Sequence, residues 1–190
     1  MTLHIICAMR NAAPFIEATI ASVQAQTHRE WIMLVRDDAS ADDSVAIVER
    51  LARSDSRIRL AQRSESAIGA AAGYHSLLQL VPDGADVACI DADDLWTPEH
   101  LARSLAALGD AAPLLVHGDL EVIDATGRTL QPSFWRARGI IPEPATVQRL
   151  AIDNVVTGST IVMNAALARI VRVRPITGAV FQDSWFALAA

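Results

Sequence analysis

The sequence contains no lysine, so all 16 of its basic residues are arginines. This absence excludes a P-loop ATPase, because such enzymes hold the nucleotide phosphates with a lysine. It also excludes Schiff-base catalysis on a lysine amine. A response-regulator receiver domain is excluded as well, since that domain needs a lysine beside its phosphorylated aspartate.

Positive charge and long apolar runs are scarce too. The chain has 22 acidic residues against 16 basic ones and a net charge of −6, which argues against nucleic acid as a main partner. No apolar stretch approaches the ~18 residues that a membrane span needs, and the run 3–9 is too short for a signal peptide. We therefore expect no transmembrane segment, and a protein that is cytoplasmic or peripheral at the inner face of the membrane.

Cysteine is rare, with only Cys7 and Cys89 in 190 residues. Their spacing matches neither a zinc site nor a disulfide framework. Each lies inside an apolar run, so we expect two buried thiols in neighbouring strands.

The sequence does contain a regular alternation of strands and helices. Over residues 1–108 this alternation occurs four times, which predicts a parallel sheet with right-handed crossovers. The predicted strands are 3–9, 31–35, 58–61 and 87–90, and the predicted helices are 15–26, 45–51, 67–81 and 98–108. After residue 108 the pattern is mixed, with strands at 114–117, 120–123 and 160–163, a loop at 136–144, and helices from about 146, 165 and 181. We expect one α/β domain, 1–190, with a mostly parallel half, 1–108, and a mixed half, 109–190.

Three carboxylates follow the fourth predicted strand, at Asp91, Asp93 and Asp94. At ~5 Å and an effective dielectric constant of ~20, each pair of such charges repels by about 3 kcal/mol. Carboxylate oxygens suit Mg²⁺ or Mn²⁺, so the cluster favours a metal site. An acidic turn that caps the next helix, with Thr97 as N-cap and Pro98 as first residue, stays open.

A second acidic loop, Asp37 and Asp38, follows the second predicted strand. Parallel strands end at the same edge of a sheet, which is where open α/β sheets bind ligands. The two loops are therefore expected to face one crevice, one or two strand spacings of ~4.8 Å apart. One loop can hold a nucleoside while the other holds a metal on its diphosphate. The alternative is a solvated loop in which Ser40 or Asp42 caps the next helix.

Five segments together resemble the family-2 glycosyltransferases with the GT-A fold, particularly bacterial rhamnosyltransferase-like members. Residues 37–42 resemble their Asp-Asp-Gly-Ser-Thr-Asp motif, and residues 22–27 match Ser-x-x-x-Gln-Thr. Residues 91–94 with the following proline resemble the metal-binding Asp-x-Asp-Asp motif. Residues 156–160 are similar to a Thr-Gly-Cys/Ser loop near the acceptor, and residues 182–185 to a late acidic motif that supplies the base. The resemblance implies a GT-A, Rossmann-like three-layer sandwich.

The resemblance also implies roles for individual residues. Asp38 would bind the nucleobase, with Asp37 supporting its loop, and Asp91 would support the second motif from its first position. The implied nucleotide-binding residues are Ala8, Arg10, Asp37, Asp38, Asp91 and Asp93, the metal ligands are Asp93 and Asp94, and the general base is Asp183.

Two residues depart from the family pattern. Arg10 stands where relatives carry a tyrosine against the nucleobase, and a guanidinium can also stack on a ring. Tyr74 stands where relatives carry the arginine of an Ala-Arg-Asn segment. Relatives also usually continue beyond the base motif, so we expect an acceptor side that is truncated at the C-terminus.

The implied activity is the inverting, metal-dependent transfer of a hexosyl or deoxyhexosyl group. The donor would be a nucleotide-diphosphate sugar and the acceptor a hydroxyl of a saccharide or a lipid-linked molecule, as in polysaccharide biosynthesis. A nucleotidyltransferase would need a glycine-rich basic loop after the first strand, and residues 10–13 contain no glycine. A glycosidase would leave the nucleotide-like loop unexplained. A catalytically inactive nucleotide-binding module, or a glycosyltransferase fragment, stays open.

Overall fold

The structure is a computed structural model that describes residues 2–109, 112–140, 155–173 and 182–190. Its strands are β1 (Leu3–Met9), β2 (Trp31–Asp37), β3 (Ile58–Arg63), β4 (Val87–Cys89), β5 (Leu115–Val116), β6 (Val122–Ile123), β7 (Thr129–Gln131) and β8 (Val162–Met163). Its helices are α1 (Ile16–Gln24), α2 (Ser44–Ser54), α3 (Ala70–Leu78), α4 (His100–Ala107), α5 (Phe134–Arg138), α6 (Ala165–Val173) and α7 (Gln182–Ala189), and a 3-10 turn spans Gly158–Thr160.

The central sheet has six strands in the order β3-β2-β1-β4-β8-β5. Strand β1 pairs in parallel with β2 and β4, and β2 pairs in parallel with β3. Strand β8 runs antiparallel to both β4 and β5, and β6 and β7 form a separate antiparallel pair. The predicted parallel first half and mixed second half are thus confirmed.

Helices cover both faces of this sheet. Alternate residues of β1 explain the layering, because Ile5 and Cys7 pack with α1, α2 and α4, whereas Ile6 packs with α3, α6 and α7. A strand covered on both faces must be apolar almost throughout, as β1 is. Cys7 and Cys89 are both buried thiols on adjacent strands, as expected. None of the described helices has the length and apolar character required to cross a membrane.

The start of α4 differs from the sequence prediction. The helix begins at His100 rather than at Pro98, and Thr97 is not its N-cap. The carbonyls of Thr97 and Pro98 accept hydrogen bonds from the Gln26 side chain (2.7 Å) and from the backbone N–H of Thr27 (2.8 Å). These contacts hold the segment as a turn against the end of α1. Helix α5 forms where the loop 136–144 was predicted to begin, and the helix predicted from about residue 146 lies outside the described residues.

Candidate active site

The two acidic loops lie at the same edge of the sheet, on either side of β1. Asp37 ends β2 and pairs with Met9, the last residue of β1. Asp91 follows β4, which pairs with β1 on its other side. Two strand spacings amount to about 10 Å, so the loops lie on either side of the end of β1 at one edge of the sheet, as predicted, but they line different cavities. This is the edge at which open α/β sheets bind ligands.

The loop that follows β2 binds the loop that follows β1 by side-chain contacts. Three successive backbone N–H groups donate to it, from Asn11 to Ser40 Oγ (2.9 Å), from Ala12 to Ser44 Oγ (2.8 Å) and from Ala13 to Asp42 Oδ2 (2.9 Å). In return the N–H of Ala41 donates to Asn11 Oδ1 (2.8 Å). The polar residues of this loop therefore serve mainly as cross-links between two loops. Because the amides of residues 11–13 are engaged, they are not free to cradle phosphates.

Asp38 holds the loop that precedes α3. Its Oδ1 accepts the N–H of Ile68 and its Oδ2 accepts the N–H of Gly69, both at 2.9 Å. The guanidinium of Arg36 lies 3.8 Å from Oδ1. The carboxylate is almost fully buried, so a nucleobase donor would have to use one of its remaining lone pairs.

Asp37 is also buried, and both of its oxygens lie 3.3 Å from the backbone nitrogen of Ser40. It lines a cavity of about 620 Å³ together with Arg63, Ser64 and Glu65. Its implied role in supporting the loop fits these contacts.

Ala8 lies at the end of β1 against α3. A Cβ added to Gly73 would lie 3.2 Å from the Cβ of Ala8 and 3.5 Å from Cδ of Arg36. Glycine therefore lets α3 approach the sheet closely at this point. The guanidinium of Arg36 is directed away, donating to Gln62 Oε1 (2.6 Å) and to the hydroxyl of Ser64.

The second acidic loop is held through Asp91. The hydroxyl of Tyr74 donates to Asp91 Oδ1 (2.6 Å), and the hydroxyl of Ser159 lies 3.0 Å from Oδ2 and 2.9 Å from the Asp91 nitrogen. Burial, and then the charge of Asp91, raise the pKa of Tyr74 well above its usual value. The sequence interpretation treated Tyr74 only as a lost arginine. Tyr74 is the single tyrosine of the chain and lies on an apolar face of its helix. A buried tyrosine hydroxyl usually has a hydrogen-bond partner, so this position was a signal for one.

The segment 22–27 supports the other end of the same loop. Ser22 Oγ accepts the backbone N–H of Trp96 (3.1 Å), and Gln26 binds the carbonyl of Thr97 and the N–H of Leu101. The indole N–H of Trp96 donates to the carbonyl of Ser159 (2.7 Å). The match of this segment to the family motif therefore has a structural explanation, which is that it fixes the acidic loop.

Asp93 is exposed and Asp94 is half-buried, and neither is held as Asp91 is. Burial raises the pKa of Asp94, a hydrogen bond with Ser159 opposes that rise, and the charges of Asp91 and Asp93 add to it. Among the residues that the structure describes, no three His, Cys, Asp or Glu side chains converge to bind a metal by themselves. Two carboxylate oxygens beside a third charge nevertheless fit a hard divalent cation whose other ligands are water and substrate phosphates.

Asp183 lies beside Asp91, with the turn at Gly158 between them. A Cβ built on Gly158 would lie 3.7 Å from Asp91 Oδ2 and 3.9 Å from Asp183 Cβ. Burial raises the pKa of Asp183, the charge of Asp91 adds to this, and hydrogen bonds from Ser184 oppose it. Helix α7 already includes Gln182, so Asp183 lies in its first turn and not at its N-cap.

Arg10 lines a cavity of about 250 Å³ that also contains Asp91 and Asp93. A larger cavity of about 520 Å³ adjoins it, between the start of α1 and the β6–β7 hairpin, with Phe15, Asp93 and Asp94 in its walls. No sequence pattern predicted this second cavity, because the hairpin is separate from the main sheet. Trp135 packs edge-on against His117, with ring centroids 5.5 Å apart, and Phe186 is fully buried in the core.

Comparison with known proteins agrees with this fold. The chain is 35% identical over 122 residues to the UDP-Glc:alpha-D-GlcNAc-diphosphoundecaprenol beta-1,3-glucosyltransferase WfgD of Escherichia coli, which covers 64% of this chain and 47% of that protein. The structure of S. aureus TarS 1-349 in complex with UDP-GlcNAc superposes with a TM-score of 0.72 at 20% identity, over 100% of this chain and 53% of that one. The mannosyltransferase PcManGT from Pyrobaculum calidifontis, in complex with GDP-Man and Mn²⁺, gives 0.70 at 20% identity, over 97% and 50%.

These likenesses confirm the GT-A fold, and the chain spans about half the length of the proteins it matches. The family model for glycosyl transferase family 2 matches residues 4–170. That range contains both acidic loops and the Gly158 turn. The chain belongs to glycosyl transferase family 2.

Proposed function

We propose that this protein is an inverting, metal-dependent glycosyltransferase. It moves a hexosyl or deoxyhexosyl group from a nucleotide-diphosphate sugar to a hydroxyl of a saccharide or lipid-linked acceptor. The observation that carries the proposal is the meeting of Asp91 and Asp183 at the Gly158 turn. It puts a candidate base next to the loop that would hold the leaving diphosphate.

Asp183 is proposed as the general base. Its Oδ1 is engaged by the N–H of Ser184 (2.6 Å), and within the described part of the chain Oδ2 has no donor. Oδ2 can therefore take the proton of an acceptor hydroxyl. A raised pKa makes the carboxylate a stronger base than an ordinary aspartate.

The displacement needs no covalent intermediate. The acceptor oxygen bonds to the anomeric carbon as the bond from that carbon to the diphosphate oxygen breaks, and the diphosphate leaves with the electron pair. The hydroxyl proton goes to Asp183. Attack opposite the leaving group inverts the anomeric centre.

Asp93 and Asp94 are proposed as the ligands of Mn²⁺ or Mg²⁺. Such an ion neutralises charge on the leaving diphosphate. Supporting the proposal, the PcManGT structure carries Mn²⁺ with its GDP-Man. Asp91 lies nearby, and its oxygens are bound by the neutral hydroxyls of Tyr74 and Ser159.

Two observations bear on substrates. The occupied amides of residues 11–13 count against a nucleotidyltransferase, which would need them for a triphosphate. The name of WfgD specifies a UDP-glucose donor and a diphosphoundecaprenol-linked acceptor. A lipid-linked acceptor of that class would bring this protein to the inner face of the membrane.

The first experiment is calorimetry with UDP, GDP, dTDP and CDP, each with Mn²⁺ and then with a chelator. We expect one nucleotide to bind in a metal-dependent way. The double variant Asp93→Ala and Asp94→Ala should lose this binding, whereas Asp43→Ala, an exposed carboxylate at the start of α2, should keep it. If the wild type bound the nucleotide equally well with the chelator, the metal would have to be removed from the proposal.

The second experiment separates chemistry from binding. Asp183→Asn should bind the donor nucleotide as the wild type does and should lose glycosyl transfer. Asp43→Asn, with the same change of charge, should keep both. Nucleotide binding by the wild type without transfer to any saccharide or lipid-linked acceptor would instead support a nucleotide-binding module.

A further inference from the structure

The two acidic loops line different cavities at this edge of the sheet. The cavity of about 620 Å³ contains Asp37 and Arg63, at the ends of β2 and β3. The cavity of about 250 Å³ contains Arg10, Asp91 and Asp93, at the ends of β1 and β4. Arg10 therefore shares a cavity with the candidate metal loop rather than with the candidate nucleobase loop.

We infer that Arg10 binds the diphosphate of the donor and does not stack on its nucleobase. The inference rests on the proposed function and deepens it, because it names the side chain that holds the phosphates. Stacking was the interpretation that the sequence alone suggested for this residue.

The charge of the smaller cavity is the first reason. Asp91 and Asp93 both contribute carboxylates to it, and Asp91 is bound by neutral hydroxyls that leave its charge uncompensated. A diphosphate placed there is repelled by both carboxylates. One divalent ion offsets part of this repulsion, and a guanidinium in the same cavity offsets more.

The backbone that follows β1 offers no substitute for that cation. The N–H groups of residues 11–13 are nearest along the chain, and they donate to Ser40, Ser44 and Asp42. The start of α1 therefore lacks the free amides with which a loop usually cradles phosphate. A side chain must supply the donors.

Other arginines near the two loops are committed elsewhere. Arg36 is buried and donates to Gln62 and Ser64, close to Asp38. Arg63 lines the other cavity. Arg10 is exposed, and no hydrogen bond or ion pair of its side chain occurs within the described residues. Its guanidinium is free to bind two phosphate oxygens in a fork.

The test compares how much the phosphates add to binding. The nucleoside diphosphate is whichever of UDP, GDP, dTDP and CDP binds the wild type. Its Kd and the Kd of the corresponding nucleoside are both measured with Mn²⁺. Arg10→Ala should raise the Kd of the diphosphate roughly ten- to hundredfold and leave the Kd of the nucleoside unchanged. Arg10→Lys should restore part of the loss because it restores the charge. Arg53→Ala, an exposed arginine on α2, is the charge-matched control and should bind as the wild type does.

Arg10→Tyr separates the two interpretations most sharply. It removes the charge and supplies the ring that a stacking site would need. We expect Arg10→Tyr to bind the diphosphate as weakly as Arg10→Ala does. Recovery of wild-type affinity in Arg10→Tyr, or equal losses for nucleoside and diphosphate in Arg10→Ala, would overturn the inference alone. Failure of the wild type to bind any of the four diphosphates would overturn the proposed function and the inference together.

Discussion

Adding one methyl group at Gly158 should damage transfer far more than stability. Gly158 does not have a left-handed φ, so alanine fits its backbone without strain. The new Cβ, however, would lie 3.2 Å from Nε2 of Gln182. That separation is a few tenths of an ångström shorter than ordinary contact, so Gln182 has to move. We expect the movement to be shared between the end of the Gln182 side chain and the first turn of α7, which carries Asp183.

The expected magnitudes follow from this displacement. Overpacking a tight contact lowers the free energy of unfolding by about 1–3 kcal/mol. Because the end of the Gln182 side chain can shift, we expect Gly158→Ala to lie near the lower limit, at about 1 kcal/mol. A misplacement of about 1 Å at a reacting group can cost on the order of a hundredfold in rate. A shift of a few tenths of an ångström at Asp183 should therefore lower kcat roughly tenfold.

The assay measures kcat and donor KM for transfer, together with urea unfolding of the same samples. Gly118→Ala is the matched control, because nothing lies within 4 Å of a Cβ at that position. It should leave kcat unchanged and stability within about 0.5 kcal/mol. If Gly158→Ala kept wild-type kcat, or lost activity only through a higher donor KM, the positioning of Asp183 by this turn would be refuted.

Three further predictions concern other parts of the fold. Ala39 has φ 61°, so Ala39→Gly should raise the free energy of unfolding by about 1 kcal/mol, measured by urea denaturation. Tyr74→Phe should lower it by about 1–2 kcal/mol in the same measurement, because Asp91 loses a buried donor. Arg57 holds the pKa of Asp55 well below its usual value. This pair therefore stabilises the fold fully at pH values above the unfolded pKa of about 3.9. The stabilisation is lost as the pH falls from there through the lower pKa of the folded state. Asp55→Asn should therefore be less stable at pH 7 and lose less stability on acidification, as followed by urea midpoints from pH 7 to pH 2.

The common edge of the acidic loops could be predicted from the sequence for a simple reason. Apolar runs such as 3–9 and 31–35 are long enough to be recognised as buried strands, and parallel strands end together. Asp37 and Asp91 follow such runs directly, so their shared location needs only the order of the strands. The GT-A fold was implied by the resemblance of several motifs to those of family-2 glycosyltransferases.

The contacts of these loops could not be predicted, because their partners are distant in sequence. The alternative interpretation made Ser40 or Asp42 a cap of the helix that follows. In the structure both accept N–H groups of the β1–α1 loop, 29 residues away. Asp42 also accepts the N–H of Ser44, the first residue of α2 (3.1 Å). Local capping and a cross-link use the same residue types, and only the pairing of β1 with β2 decides between them.

Asp91 explains why the motif has three carboxylates when a cation needs only two of them. Its oxygens are bound by the hydroxyls of Tyr74 and Ser159, which fix its position without adding an opposite charge. A carboxylate fixed in this way would attract the proposed cation to Asp93 and Asp94 from a distance. After burial, it is also the residue whose charge raises the pKa of Asp183. A single half-buried carboxylate can therefore favour both the metal and the base of the proposed reaction.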